Sequence, residues 1–384
     1  MKHILFHKPT IPKETIRLIK ETLDSGWITT GPRVKELEKQ IGNLLKKEHL
    51  VATSSCTAAL HTAYKLLNLS PGDEVIVPSF TFCSTVNMIV NIGAKPIFCD
   101  IEERSLCADP KDIERKITTK TKAIVVVHFA GYPANLGKIN ALAKKYGLIV
   151  VEDAAHAFGT KYKSELIGSG NNITCFSFYA TKNLTTAEGG MVVCNTLEQS
   201  KKAKNFINHG ITRNSLERYG KDSHFSYDVL FPGFKYNMSD IHACIGIAQL
   251  KKIKEFRTKR KILVSKYFSL LKNNQFIKTP DKISPKEGLH AWHLFVIRVL
   301  PTAKCSRDDL YYYLKKNGID TSVHYIPNHQ QEFYEKRYKG HLLPVTEKIG
   351  KEVISLPLYE LLSIKDVSRI CKLINKATIY GTTK

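Results

Sequence analysis

No two of the nine cysteines in this chain of 384 residues stand at C-x-x-C spacing, and nine is an odd number. Neither a zinc ribbon nor a disulfide framework is therefore indicated. Cys99 and Cys194 end apolar runs, where a reduced thiol packs as a small hydrophobe. A reducing cytoplasm suits such a set. Long hydrophobic runs are missing as well. The longest, such as Ala123 to Val127, have the length of a strand and cannot cross a bilayer. The apolar stretch after Met1 is too short for a signal peptide. A cytoplasmic protein without membrane insertion is expected. Repeats, low-complexity tracts and an obvious flexible linker are also lacking.

Acidic residues are scarce: 35 Asp and Glu face 58 Lys and Arg, a net charge of +23 with histidines neutral. Such a surplus admits nucleic acid, an acidic membrane surface or a phosphorylated ligand as partners, without choosing among them. Nucleic-acid binders concentrate their basic residues around a reading element or interleave them with stacking aromatics. Here the lysines are spread along the chain, and no zinc-finger or RNA-recognition motif is found, so no specific nucleic acid is expected. The G-x-G-x-x-G of a Rossmann dehydrogenase is absent; Gly168-Ser169-Gly170 lacks the third glycine and follows no strand. His290 and His293 have no nearby carboxylate or cysteine set at ligand spacing, so no metal is expected. With 43% hydrophobic and 24% charged residues the composition is that of a folded protein, long enough to divide into two domains.

What the sequence does contain is alternation. Between residues 50 and 195, short apolar runs alternate with amphipathic stretches. The runs include Glu74-Val75-Ile76-Val77, Ala123 to Val127, Leu148-Ile149-Val150-Val151, Thr174 to Phe178 and Gly190 to Cys194. They are continuous and rich in Val and Ile, as in strands covered on both faces. Leu136 to Tyr146 has helical spacing. The pattern predicts an α/β fold with an open, mostly parallel sheet, whose ligands bind beyond the carboxyl ends of the strands. Over residues 251–278, ten Lys and Arg face one acid, Glu255, with Ile253, Phe256, Ile262, Val264, Phe268 and Leu271 as an apolar stripe. This predicts a long basic helix, most of its charges solvated. It would lead from a large domain of residues 1–250, with an N-terminal arm, into a smaller α+β domain of residues 251–384. There Leu294 to Val299 reads as a strand, and Ser306 as a helix cap.

Four segments bear on chemistry. Ser54-Ser55-Cys56-Thr57 stands between a strand and a helix, where free N–H groups and hydroxyls suit a phosphate, although Ser and Thr are also ordinary caps. Glu152-Asp153-Ala154-Ala155-His156 ends an apolar strand; one carboxylate there can pair with a protonated ring nitrogen, and His156 with a ring oxygen. Lys182 follows the run Phe176 to Phe178 in an apolar, hydroxyl-rich stretch. Desolvation lowers a lysine pKa and favours the nucleophilic amine. Phe82, just past the strand at 74–77, is an aromatic that can lie on a planar cofactor, or an ordinary core residue. Together the four make the parts of a pyridoxal 5'-phosphate site.

Their order and spacing resemble the DegT/DnrJ/EryC1/StrS family of nucleotide-sugar aminotransferases over nearly the whole chain. The resemblance takes in Ser25 to Pro32, Glu152 to His156, the Lys182 segment, Pro232 to Asp240 and His290 to Phe295. It implies an aspartate-aminotransferase-like, fold type I transferase. By this resemblance Lys182 would hold the cofactor and shuttle the proton, Asp153 would pair with the pyridinium nitrogen, and His156 would bond the ring oxygen. Phe82 would stack on the ring, while Ser55, Cys56, Thr57 and Ser177 would bind the phosphate. Asn237 would reach that phosphate from the neighbouring subunit of a homodimer. Trp27 and Thr29 would lie near the sugar, and His329 near its diphosphate. The implied reaction moves the amine of L-glutamate onto the 4-keto carbon of a UDP- or dTDP-linked sugar. A UDP-4-keto-pentose, giving UDP-4-amino-4-deoxy-L-arabinose, comes first, and a 4-keto-6-deoxyhexose nucleotide second.

Overall fold

A computed structural model describes residues 3–212, 227–338, 340 and 342–382. Seven strands form the main sheet: β1 (Leu50–Thr53), β2 (Glu74–Pro78), β3 (Lys95–Cys99), β4 (Thr121–Val127), β5 (Ile149–Asp153), β8 (Ile173–Ser177) and β9 (Gly190–Val193). Their order is β1-β9-β8-β5-β4-β2-β3. The pairs from β8 through β5, β4 and β2 to β3 are parallel, while β9 runs antiparallel to both neighbours. Their Val and Ile side chains are buried, apart from Ile149 at the start of β5 and the partly buried Ile97, because helices cover both faces. The helix Leu136–Tyr146 has the predicted bounds, with Asn135 capping its start and Gly147 in the left-handed conformation at its end.

A second, three-stranded sheet lies in the C-terminal part, with β12 (Phe295–Val299) between β10 (Ile277–Lys278) and β13 (Val353–Leu356). Helices Ile253–Leu271, Arg307–Lys316 and Ile364–Tyr380 complete its core. Ile4 also packs in that core and bonds through its backbone to Gly318 and Asp320, so the start of the chain joins the C-terminal unit. A third ribbon pairs β6 (Lys161–Tyr162) with β7 (Glu165–Leu166) and with β11 (Gly288–Leu289).

The basic helix departs from its expected phasing. Ile262 is half exposed, whereas Arg260 is buried. The buried face runs through Phe256, Arg260, Leu263, Val264, Tyr267 and Leu271, the three- and four-residue spacing of one helical stripe. Arg260 occupies a core position because Glu360 meets its Nε at 2.6 Å and three backbone carbonyls accept from its Nη1.

Candidate active site

The carboxyl ends of β2, β4, β5 and β8 open on a cavity of about 500 Å³. Ser55, Cys56, Thr57, Phe82, Asp153, His156, Ser177 and Lys182 all line it. Ser55 caps helix Cys56–Leu66 by accepting from the Ala58 N–H. Cys56 and Thr57 then belong to the first turn, whose N–H groups lack intrahelical acceptors. Ser177 lies at the end of β8, and Phe82 precedes helix Cys83–Asn91.

Lys182 follows β8 in a loop fixed by backbone bonds to Tyr179 and between Thr186 and Phe178. Burial lowers its pKa to about 8, although the Asp153 charge pulls the other way. Asp153 is buried at the end of β5, and burial raises its pKa against bonds from Thr85 and the Ala155 N–H. His156 accepts from the Ala130 N–H through Nδ1 at 3.2 Å, so its proton sits on Nε2, which faces the Tyr325 hydroxyl at 3.0 Å. Burial and the Lys182 charge keep that imidazole neutral. Desolvation likewise drives the half-buried His324 down to about 3.

Four expected residues do not line the cavity. Asn237 donates to the Thr30 hydroxyl at 2.6 Å, and Trp27 gives its indole N–H to the Thr30 carbonyl. The Thr29 carbonyl accepts from the Asp240 N–H. His329, expected near the diphosphate, is buried; Nδ1 lies 2.7 Å from Ser79 Oγ and Glu347 is 3.5 Å from Nε2. Conversely, Thr81, Tyr179, Glu188, Ser322, His324 and Tyr325 line the cavity without having been singled out. Nothing local in the segment His324-Tyr325-Ile326-Pro327 shows that it reaches the end of β5, where Tyr325 meets His156.

An anion cradle at a helix start, a buried carboxylate, a desolvated lysine and an aromatic at one cavity are the donor set that pyridoxal phosphate needs. Among the described residues no group of three or more His, Cys, Asp or Glu is placed to hold a metal ion. No described helix is long and apolar enough to cross a membrane.

Fold and cavity together define a fold type I, pyridoxal-phosphate-dependent aminotransferase. Residues 9–375 match the DegT/DnrJ/EryC1/StrS aminotransferase family, and the chain belongs to that family. It is 41% identical over 369 residues to the spore coat polysaccharide biosynthesis protein SpsC of Bacillus subtilis, covering 94% of each chain. Helicobacter pylori PseC, an aminotransferase involved in the biosynthesis of pseudoaminic acid, superimposes with a TM-score of 0.91 at 28% identity, over 98% of this chain and 99% of that one. A putative sugar aminotransferase from Streptococcus pneumoniae, Spr1654 in its PLP form, gives 0.90 at 30% identity over 98% and 99%.

Proposed function

We infer that the protein moves the amine of L-glutamate onto the 4-keto carbon of a nucleotide-linked sugar, releasing 2-oxoglutarate. The observation that carries this reading is the Lys182 amine, held near pKa 8 in the same cavity as the Asp153 carboxylate. The sugar as acceptor is supported by relatives named for polysaccharide and sugar work. A UDP-4-keto-pentose is the first substrate proposed, and a UDP- or dTDP-linked 4-keto-6-deoxyhexose the second.

When bound, the cofactor supplies an electron sink for the carbon that loses or gains the amine. Lys182 holds the cofactor through Nζ and, once displaced, carries the proton at that atom between donor and acceptor carbons. Asp153 keeps a proton on the ring nitrogen. The Ser55–Thr57 turn and Ser177 hold the phosphate, Phe82 covers the ring, and His156 offers its Nε2 proton to the ring oxygen. Residues 1–250 bind the cofactor in this reading, while residues 251–384 add the wall at Ser322, His324 and Tyr325. We place the enzyme in the cytoplasm as a homodimer. Asn237, Trp27 and Thr29, which do not line their own chain's cavity, then serve the neighbouring subunit's, and His329 acts near the diphosphate.

The test is a panel: glutamate with UDP-4-keto-pentose, UDP-4-keto-6-deoxyhexose or dTDP-4-keto-6-deoxyhexose, followed by mass spectrometry. An aminated product from at least one supports the reading. Amination of 3-keto sugars alone overturns the position assigned to the new amine.

A further inference from the structure

Two donors from different elements meet the Asp153 carboxylate. The Ala155 N–H gives to Oδ1 at 3.0 Å, and Thr85 Oγ1 gives to Oδ2 at 2.7 Å. An ionised carboxylate only accepts, so the Thr85 hydroxyl proton is committed to Asp153. The Thr81 hydroxyl, 2.9 Å from that of Thr85, is then the donor of their shared bond. Thr81, Thr85 and Asp153 thus form a directed row, and all three are buried. Its backbone is held from outside the helix Cys83–Asn91. The Tyr64 hydroxyl donates to the Thr85 carbonyl at 3.0 Å, and the Asn328 amide to the Thr81 carbonyl at 2.7 Å.

We propose that Thr85, supported by Thr81, is a positioning residue that keeps the Asp153 carboxylate ionised and aimed at the ring nitrogen of the bound cofactor. The inference rests on the assignment of Asp153 to that nitrogen. Burial opposes the Asp153 charge, while Lys182 and His128 favour it. Cys56, Cys175, Tyr64 and Tyr325 also face it, and burial holds all four protonated. Without the Thr85 hydroxyl the carboxylate becomes more basic and draws the ring proton toward itself. The ring nitrogen then carries less positive charge. Proton loss from the lysine-linked nitrogen becomes harder, and the electron sink weakens.

Thr85→Val keeps the shape and removes the donor, whereas Thr85→Ser keeps the donor. The full chain is loaded with pyridoxal phosphate and its visible absorption band is titrated with pH. Thr85→Val raises the midpoint by about half a pH unit or more and slows the glutamate half-reaction about tenfold. Thr85→Ser follows the wild type, and Thr81→Val shifts the midpoint in the same direction by less. A merely structural role would lower the unfolding temperature of the cofactor-free protein and leave the titration in place. Coincident titrations of Thr85→Val and wild type overturn the inference, as do equal shifts in the Val and Ser variants. Should Thr85→Val fail to fold, the Thr81→Val titration decides by the same criterion. A wild type that gains no band overturns the inference together with the reading of the site; a band whose titration ignores Thr85 overturns the inference alone.

Discussion

Gly190 and Ser55 approach so closely that a β-carbon on Gly190 would stand 2.5 Å from the Ser55 carbonyl carbon and 2.7 Å from the Cys56 nitrogen. Gly190 pairs with Thr53 on β1 and with Ser177 on β8, so it sits between the strand that leads into the Ser55–Thr57 turn and the strand that ends at Ser177, and both Ser55–Thr57 and Ser177 line the cavity. Its lack of a side chain is a requirement of space, since the atoms it would meet are backbone and cannot swing aside.

Gly190→Ala therefore displaces the start of helix Cys56–Leu66, the cradle assigned to the cofactor phosphate. The dissociation constant for pyridoxal phosphate rises about tenfold or more, the loss of roughly one good hydrogen bond to a charged group. Equilibrium dialysis of the full chain measures it. An unchanged constant would show that this contact does not set the cradle.

Lys182 carries a pH dependence with a definite sign. Its folded pKa is lowered to about 8 by burial, against about 10.4 for a free lysine. Between these values the unfolded chain binds the extra proton, so stability rises with pH across that window and the lysine is most unfavourable below it. Lys182→Met is expected to stabilise the cofactor-free protein at pH 7, on the order of 1 kcal/mol after allowance for solvent screening. The gain shrinks above pH 10, which urea unfolding at the two pH values reads directly. The same variant loses transamination by at least about a hundredfold.

The sequence made the main sheet legible because several of its strands are continuous apolar runs rich in Val and Ile, and it singled out Asp153 at the end of one such run and Lys182 shortly after the apolar run Phe176 to Phe178. It did not reveal Thr85 or Tyr325. Their partners, Asp153 and His156, lie 68 and 169 positions away, and no local pattern encodes those pairings. Arg260 was hidden for another reason. It stands among lysines on a basic helix, and only the fold brings Glu360 to it, 100 positions on. Trp27 and Asn237 were legible as residue types in a motif, but their place relative to their own chain's cavity depends on the packing of residues 27–34 against Asp240.

Breaking that buried ion pair on one side leaves a charge without its partner. Arg260→Met strands Glu360, whose side chain is nearly inaccessible, and is expected to cost about 3–5 kcal/mol of stability. The double variant Arg260→Met, Glu360→Met recovers a large part of the loss, because both charges then leave together. Urea unfolding of the three proteins tests this. A double variant no better than the single one would locate the cost in the carbonyls of Trp292, His293 and Leu358 that Arg260 also satisfies.

Asp240 closes the start of helix Pro32–Leu45, where Gly31 offers no side chain to cap it. Its Oδ1 accepts from the N–H groups of Gly31 and Val34 at 2.8 and 3.0 Å, and Oδ2 from that of Arg33 at 3.0 Å. Asp240→Ala leaves three donors at a helix start without an acceptor, at an expected cost of about 2–3 kcal/mol. Asp240→Asn keeps one acceptor oxygen, which still serves the two N–H groups on that side, and costs about 1 kcal/mol. The Trp27–Pro32 turn is fixed by the same carboxylate, and in the proposed dimer it borders the neighbouring cavity. Loosening it in the Asn variant should raise KM for the nucleotide sugar several-fold while leaving the glutamate half-reaction, which needs no sugar, within about twofold of wild type. Equal losses in both half-reactions would remove this turn from the sugar site and return Asp240 to a role in stability alone.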